Sequence, residues 1–240
     1  LLPIQQVYNL ISFSASLGYY KLTQLLFKIS NELIEKEIKK EEEAKNNSTF
    51  KLSAGKSFDY YLSWVKFGNL SIFKLIIDKL KPPDESQLTD CFYLAVEKNY
   101  FSIISYIFDE FNFGPTTPVM NKSLKIAIDN KMDAIFEYLL DRYKIIPSID
   151  VLLSACKSGN AKISKKLIDL IYEENPSIDF SDTLIQSGLN GLLEAFQYLV
   201  DKKVCFKISK LKSIASKFIQ SNEKTFIILM GIADPESKEV

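Results

Sequence analysis

Apolar residues recur along this chain in paired stripes of helical period, each pair divided by a small or turn-forming residue. Seven segments align on one reference position: LISFSASLGYYKLTQLLF, YLSWVKFGNLSIFKLII, FYLAVEKNYFSIISYIF, LKIAIDNKMDAIFEYLL, LLSACKSGNAKISKKLI, LIQSGLNGLLEAFQYLV and IASKFIQSNEKTFIILM. The reference falls at Gly18, Gly68, Asn99, Lys131, Gly159, Gly191 and Ser221, with spacings of 50, 31, 32, 28, 32 and 30 residues. Self-similarity at such a period is the signature of a repeat architecture.

The columns of this alignment predict local structure. Seven residues before the reference stand Ile11, Tyr61, Phe92, Leu124, Leu152, Leu184 and Ile214, all apolar. Nine residues before it stand Asn9, Asp59, Asp90, Lys122, Asp150, Asp182 and Lys212; five of the seven carry a capping acceptor, which predicts that the first helix of each unit begins there. Gly or Asn at the reference suits a short turn with positive φ. After it, Leu22, Ile72, Ile103, Ile135 and Ile163 combine with the apolar pairs Leu26-Phe27, Ile76-Ile77, Ile107-Phe108, Leu139-Leu140, Leu167-Ile168, Leu199-Val200 and Leu229-Met230 into the stripe of a second helix. A helical pair of this size cannot bury its stripe alone, so the pattern predicts stacking. The expected fold is all-α, a solenoid of about seven helix-turn-helix repeats forming one domain over residues 1–240.

The fragments WVKFGNLSIFKLII, AVEKNYFSIISYIF and ACKSGNAKISKKLI resemble the middle of an ankyrin repeat, in which a small-residue pair, a two-residue spacer, Gly and an aliphatic second helix follow in order. The family period is about 33 residues. The resemblance runs over residues 9–232, without the family's Thr-Pro-Leu-His opening and without its Gly-Ala-Asp hairpin. It implies a protein-interaction scaffold that binds through a concave face of first helices and loop tips, with the two spacer positions projecting toward the partner. In the best-matching units these are Lys66 and Phe67, Glu97 and Lys98, Asp129 and Asn130, and Lys157 and Ser158.

One insertion interrupts the array. Residues 31–50, NELIEKEIKKEEEAKNNSTF, carry Glu32–Lys36, Glu35–Lys39 and Glu41–Lys45 pairs suited to a solvated helical extension, which Asn46 to Thr49 would end. Trp64 stands where other units have Ala95, Ala127 and Ala155, so different packing is expected beside the insertion. The tripeptide Gly55-Lys56-Ser57 matches the end of a phosphate-binding loop. That motif needs Gly where Phe50 stands and a buried strand before it, so a nucleotide site is not expected.

Composition narrows the function classes. With 47% hydrophobic and 25% charged residues, 30 basic and 30 acidic, the chain reads as a folded protein with no global field for nucleic acid or anionic membranes. It has no His, which removes Ser-His and Cys-His pairs and imidazole metal ligands. Cys91, Cys156 and Cys205 are too dispersed for a metal cluster or a dense disulfide framework, and structural thiols are expected. Asp78, Asp109, Asp141, Asp169 and Asp201 recur ten residues after the reference, as a solvated edge. Lys202, Lys203, Lys207, Lys210, Lys212 and Lys217 follow one another with no acid between them, as a polar end for the stack.

The sequence thus leads to a non-catalytic, monomeric interaction protein, with no cofactor and no metal. It is expected in the cytoplasm, with no membrane or nucleic-acid partner. Two alternatives stay open: the interaction region of a larger enzyme or ligase adaptor, and a weak nucleic-acid binder acting through the C-terminal lysines.

Overall fold

The computed structural model describes residues 4–29, 32, 62, 65–66, 68–79, 83–207, 209–210 and 227–228. Among these the chain is all-helical, without a strand. The insertion 31–50 apart from Glu32, the segment Gly55-Lys56-Ser57, Trp64 and the reference position Ser221 lie outside the described residues. The chain divides into two compact units, Leu1–Pro115 and Thr116–Val240.

The first unit holds α1 (Ile4–Ser16), α2 (20–29), α3 (Leu70–Lys79), α4 (Glu85–Glu97) and α5 (Phe101–Phe111). In the second are α6 (Thr117–Asp129), α7 (Asp133–Tyr143), α8 (Ile149–Ser158), α9 (Ala161–Glu174), α10 (Ser181–Leu189) and α11 (Leu193–Asp201). Helices pair as hairpins α1–α2, α4–α5, α6–α7, α8–α9 and α10–α11. Within the second unit the first helices α6, α8 and α10 pack side by side in that order, and α9 packs on α11. Within the first, α3 packs on α5.

The turn is where sequence and backbone agree best. Gly18, Gly68, Asn99, Lys131, Gly159 and Gly191 all have positive φ, from 57° to 81°. Each lies one residue before a second helix's N-cap position or its equivalent. The following N–H reaches back to a carbonyl five residues earlier: Tyr19 to Ser14 at 3.0 Å, Tyr100 to Ala95 at 2.8 Å, Met132 to Ala127 at 2.8 Å, Asn160 to Ala155 at 3.3 Å and Leu192 to Ser187 at 2.8 Å. This is the bonding of a Schellman motif, which satisfies orphan carbonyls at a helix end. The accepting residue is Ser or Ala in every case.

The apolar columns form the core. Ile11, Phe92, Leu124, Leu152 and Leu184 are fully buried, as are Ile107, Leu139, Leu167, Ile168 and Leu199. Leu22 departs from its column and is 44% exposed, while Leu26, Ile77 and Val200 are half-buried.

Helix starts do not follow the predicted column. Asn9, Asp90 and Lys122 lie in the second turn of their helices, and Asp150 and Asp182 lie in the first turn. The N-caps are Asp84, Thr116, Ser148 and Phe180. First helices vary from 9 to 13 residues, so a frame fixed at the turn cannot place the other end. Local chemistry places it instead. Asp84 and Gln87 exchange bonds of 2.9 Å in a capping box, and Pro118 occupies the opening turn of α6, where its missing N–H costs nothing.

Candidate functional site: the exposed ends of the first helices

The spacer residues sit where each first helix ends. Lys66, Glu97, Lys98, Asp129, Asn130 and Lys157 are exposed, and Ser158 is half-buried; Phe67 lies outside the described residues. Lys98 and Asn130 are the C-caps of α4 and α6. Each is held by the last bond of its own helix: the Lys98 N–H bonds Leu94 O at 3.0 Å and the Asn130 N–H bonds Ile126 O at 3.0 Å. Ser158 Oγ donates to Ala155 O at 2.9 Å, so its hydroxyl is partly spent within its own helix. Glu97 and Lys98 form an ion pair of 3.2 Å, and Lys66 contributes its carbonyl to the Tyr100 hydroxyl at 2.9 Å. In the first unit Lys66, Glu97 and Lys98 form one group of spacer residues, and in the second unit Asp129, Asn130, Lys157 and Ser158 form another.

Between α6 and α8 the structure adds residues that the spacer rule misses. A groove of about 280 Å³ is lined by Lys122, Lys125 and Lys157, by Asp150, and by the polar groups of Asn121 and Ser154. Its register is helical: Lys122, Lys125 and Asp129 are spaced i, i+3, i+7 on α6, and Asp150, Ser154 and Lys157 are spaced i, i+4, i+7 on α8. The two helices are pinned at its end by the Ser148 N–H donating to Asn121 Oδ1 at 3.1 Å. On the next hairpin Asn190 continues the row, its Nδ2 reaching Cys156 O at 3.4 Å. Lys125 and Lys157 bring ammonium groups to the same groove as the Asp150 carboxylate, with amide and hydroxyl groups beside them. The helix-face register of these residues is the signal that could have found them in the sequence.

Charges elsewhere are largely used between hairpins. Lys166 of α9 pairs with Glu137 of α7, and with Asp141 at 3.4 Å. The hydrogen bond to Glu137 holds the Lys166 ammonium above its ordinary pKa range. Lys165 pairs with Glu194 at 3.0 Å. Asp169 accepts from Tyr198 Oη at 2.6 Å and from Lys202, whose ammonium also lies 5.3 Å from the Tyr172 ring centroid and 5.4 Å from that of Tyr198. Of the recurring aspartates, Asp169 serves as more than a solvated edge by accepting from Tyr198 and Lys202 of the next hairpin, whereas Asp141 stays exposed beside Lys166.

Lys207 and Lys210 also meet carboxylates of the chain. Lys207 lies 3.6 Å from Asp179, and Lys210 lies 3.6 Å from Asp179 and 3.2 Å from Asp182. Bonds from Ser181, chiefly its hydroxyl, hold the Asp179 carboxyl below its usual range. Lys212 and Lys217 lie outside the described residues. Cys91 and Cys156 are buried in the core, while Cys205 is exposed, against the expectation of a structural thiol. No helix among the described residues is long and apolar enough to cross a membrane. Compared with family models, with curated proteins and with solved structures, the chain gives no match.

Proposed function

We propose that this chain is a non-catalytic protein-interaction scaffold, a degenerate ankyrin-like solenoid that presents the ends of its first helices to a protein partner. The observation that carries the reading is that the spacer side chains are exposed within each unit, Glu97 and Lys98 in the first and Asp129, Asn130 and Lys157 in the second, each close before a left-handed turn residue. A backbone already fixed by helix and turn needs no ordering on binding, which lowers the cost of association. Ala95, Ala127 and Ala155, small and fully buried at equivalent positions of three hairpins, support the reading of a repeated helical pair. In the second unit Lys125 and Lys157, on the groove between α6 and α8, incline the surface toward acidic segments. Lys202, Lys207 and Lys210, by contrast, spend their charge on carboxylates of the chain itself, which favours a protein partner over phosphate.

The test is affinity capture from the native cell with the wild type and with a variant carrying Lys66→Ala, Lys98→Ala, Asp129→Ala and Lys157→Ala. A partner retained by the wild type and lost by the variant, with helicity and melting temperature unchanged, is the expected result. Glu110→Ala with Glu173→Ala, on exposed second-helix positions, is the control. Loss of the partner with the control pair alone would refute the reading.

A further inference from the structure

The buried hydroxyls of this fold are nearly all spent within the chain. Among the described residues eight Ser and Thr side chains are buried. Ser14 and Thr23 bond each other at 2.9 Å, and Ser123, Ser164 and Ser187 donate to backbone carbonyls at 2.8 to 3.0 Å. Ser181 donates to Asp179. The Thr183 hydroxyl has no partner and is sealed from solvent. Ser154 is the remaining one. It is 5% exposed, it lines the groove between α6 and α8, and its hydroxyl makes no hydrogen bond among the described residues. A serine inside a helix can turn its hydroxyl back onto the carbonyl one turn earlier, as Ser123 and Ser164 do here. Ser154 instead keeps its hydroxyl for the groove, and a buried polar group without a partner calls for one.

Two further donors stand at the same groove. Asn121 Oδ1 accepts the Ser148 N–H at 3.1 Å, which turns Asn121 Nδ2 to the other side, where it has no partner among the described residues. Ser148 is the N-cap residue of α8, yet its hydroxyl makes no capping bond. At the rim are the exposed ammonium groups of Lys125 and Lys157 and the exposed carboxylate of Asp150, none of them in an ion pair among the described residues. Lys122, the third lysine of the wall, already interacts within the chain. Neutral donors and two cations thus face a single anion, and what the groove lacks is acceptor oxygen. A carboxylate brings two oxygens that only accept. Its one negative charge also matches the one positive charge that Lys125 and Lys157 leave over Asp150. A phosphate group, with a charge of about −2 at neutral pH, exceeds that balance and is repelled by Asp150.

We propose that Ser154, Ser148 and Asn121 form a carboxylate subsite, with Lys125 and Lys157 at its rim, that takes one Glu or Asp side chain of the partner. The subsite rests on the interaction reading above, as the point where the partner's acidic side chain enters the second unit. Ser154 determines its specificity, because its hydroxyl is the buried donor that only an entering acceptor can satisfy.

Heteronuclear NMR of the whole chain, titrated with the blocked peptide acetyl-Glu-Glu-Glu-amide and with its glutamine counterpart, tests it. The glutamate peptide should shift the Asn121 side-chain amide and the backbone amides of Ser148, Ser154 and Lys157 saturably, and the glutamine peptide should not. Ser154→Ala should raise the dissociation constant roughly tenfold, as loss of a hydrogen bond to a charged group does. Because that hydroxyl has no partner in the chain to lose, the same variant keeps or exceeds the wild-type melting temperature, which a serine of purely structural role would not allow. Asn121→Asp keeps the oxygen that holds Ser148 and replaces the donor by a second oxygen, so it abolishes the shifts. Absence of a saturable shift overturns the proposal. So does equal binding of the glutamine peptide, tighter binding of the same peptide with phosphoserine in place of glutamate, or a dissociation constant that Ser154→Ala leaves unchanged. A partner lost by the spacer variant while the glutamate peptide gives no shift overturns the subsite and leaves the interaction reading standing.

Discussion

The ring of Tyr100 occupies the space a side chain on Gly68 would need: a β-carbon built there lies 2.5 Å from Tyr100 Cε1. The ring cannot swing away freely, since its hydroxyl donates to Lys66 O at 2.9 Å. At Gly159 the backbone is equally left-handed, φ 81°, but the nearest neighbour of a β-carbon is Leu192 Cδ1 at 3.8 Å. Gly159→Ala therefore carries the conformational strain alone, about 1 kcal/mol. Gly68→Ala adds a displaced ring and a lost hydrogen bond, for roughly 2 to 3 kcal/mol. Urea denaturation of both variants measures the difference, and Tyr100→Ala in the Gly68→Ala background should narrow it.

Lys131 holds the same left-handed turn with φ 57° and does so with a β-carbon. Lys131→Gly removes that strain at the cost of some unfolded-state entropy, so a net gain of about 0.5 to 1 kcal/mol is expected. Equal or lower stability of the variant in the same denaturation assay would show that the turn is not strained.

These turns explain how much of the fold was legible. A left-handed residue after a helix leaves a trace in composition, and that trace aligned the hairpins well enough that Asn99 and Lys131 were placed in the turn although neither is Gly. The burial of Leu124, Leu152 and Leu184 was legible for a similar reason: each must face the core in every hairpin. Helix starts were not, because Asp84, Thr116 and Ser148 begin helices of different lengths. The pairing of Asp169 with Tyr198 and Lys202 was also out of reach. It joins residues from two hairpins, and a column of aspartates does not say what stands opposite. At the candidate site the spacer positions were found at the helix ends, but Lys122 and Lys125 were missed because they lie one and two turns back from the spacer.

Leu139 and Asp141 test the frame itself. Leu139 is fully buried in α7, so Leu139→Ala should cost roughly 2 to 5 kcal/mol. The Asp141 side chain is 74% exposed and meets Lys166 at 3.4 Å, an exposed ion pair of little worth, so Asp141→Ala should cost under about 0.5 kcal/mol. Thermal melts of the two variants separate them, and similar losses would mean that the buried column is not the core.

The core cysteines give stability a pH dependence on the alkaline side. Burial, aided by the Asp90 charge, pushes the Cys91 thiol from 9.0 to about 12. Burial likewise pushes Cys156 from 9.0 to about 11, against the opposing effect of its contact with Ser164. Both folded values exceed the unfolded one, so the folded state binds protons that the unfolded chain releases. The contribution is complete below pH 9 and is lost as pH rises from 9 toward 11 and 12. The melting temperature should fall across that window, and Cys91→Ala with Cys156→Ala should flatten the slope. In the native protein a thiol reagent should modify Cys205 first, since it alone among the three is exposed.

The groove between α6 and α8 yields the last prediction, because it holds opposite charges on one helix. Lys157 and Asp150 both line it, on a single face of α8. If the partner that the wild type captures enters with an acidic segment, Lys157→Ala weakens the complex and Asp150→Ala strengthens it, each by about 0.5 to 1 kcal/mol for charges at a solvated surface. The two variants should have equal helicity, so opposite shifts in affinity report the sign of the partner's charge and not a loss of fold. Raising the salt from about 0.1 to 1 M shortens the screening length from about 10 to 3 Å and should bring both variants toward the wild-type affinity. Titration calorimetry with the captured partner measures all three. Shifts in the same direction, or shifts that salt does not diminish, would rule out an acidic segment in the groove beside Asp150.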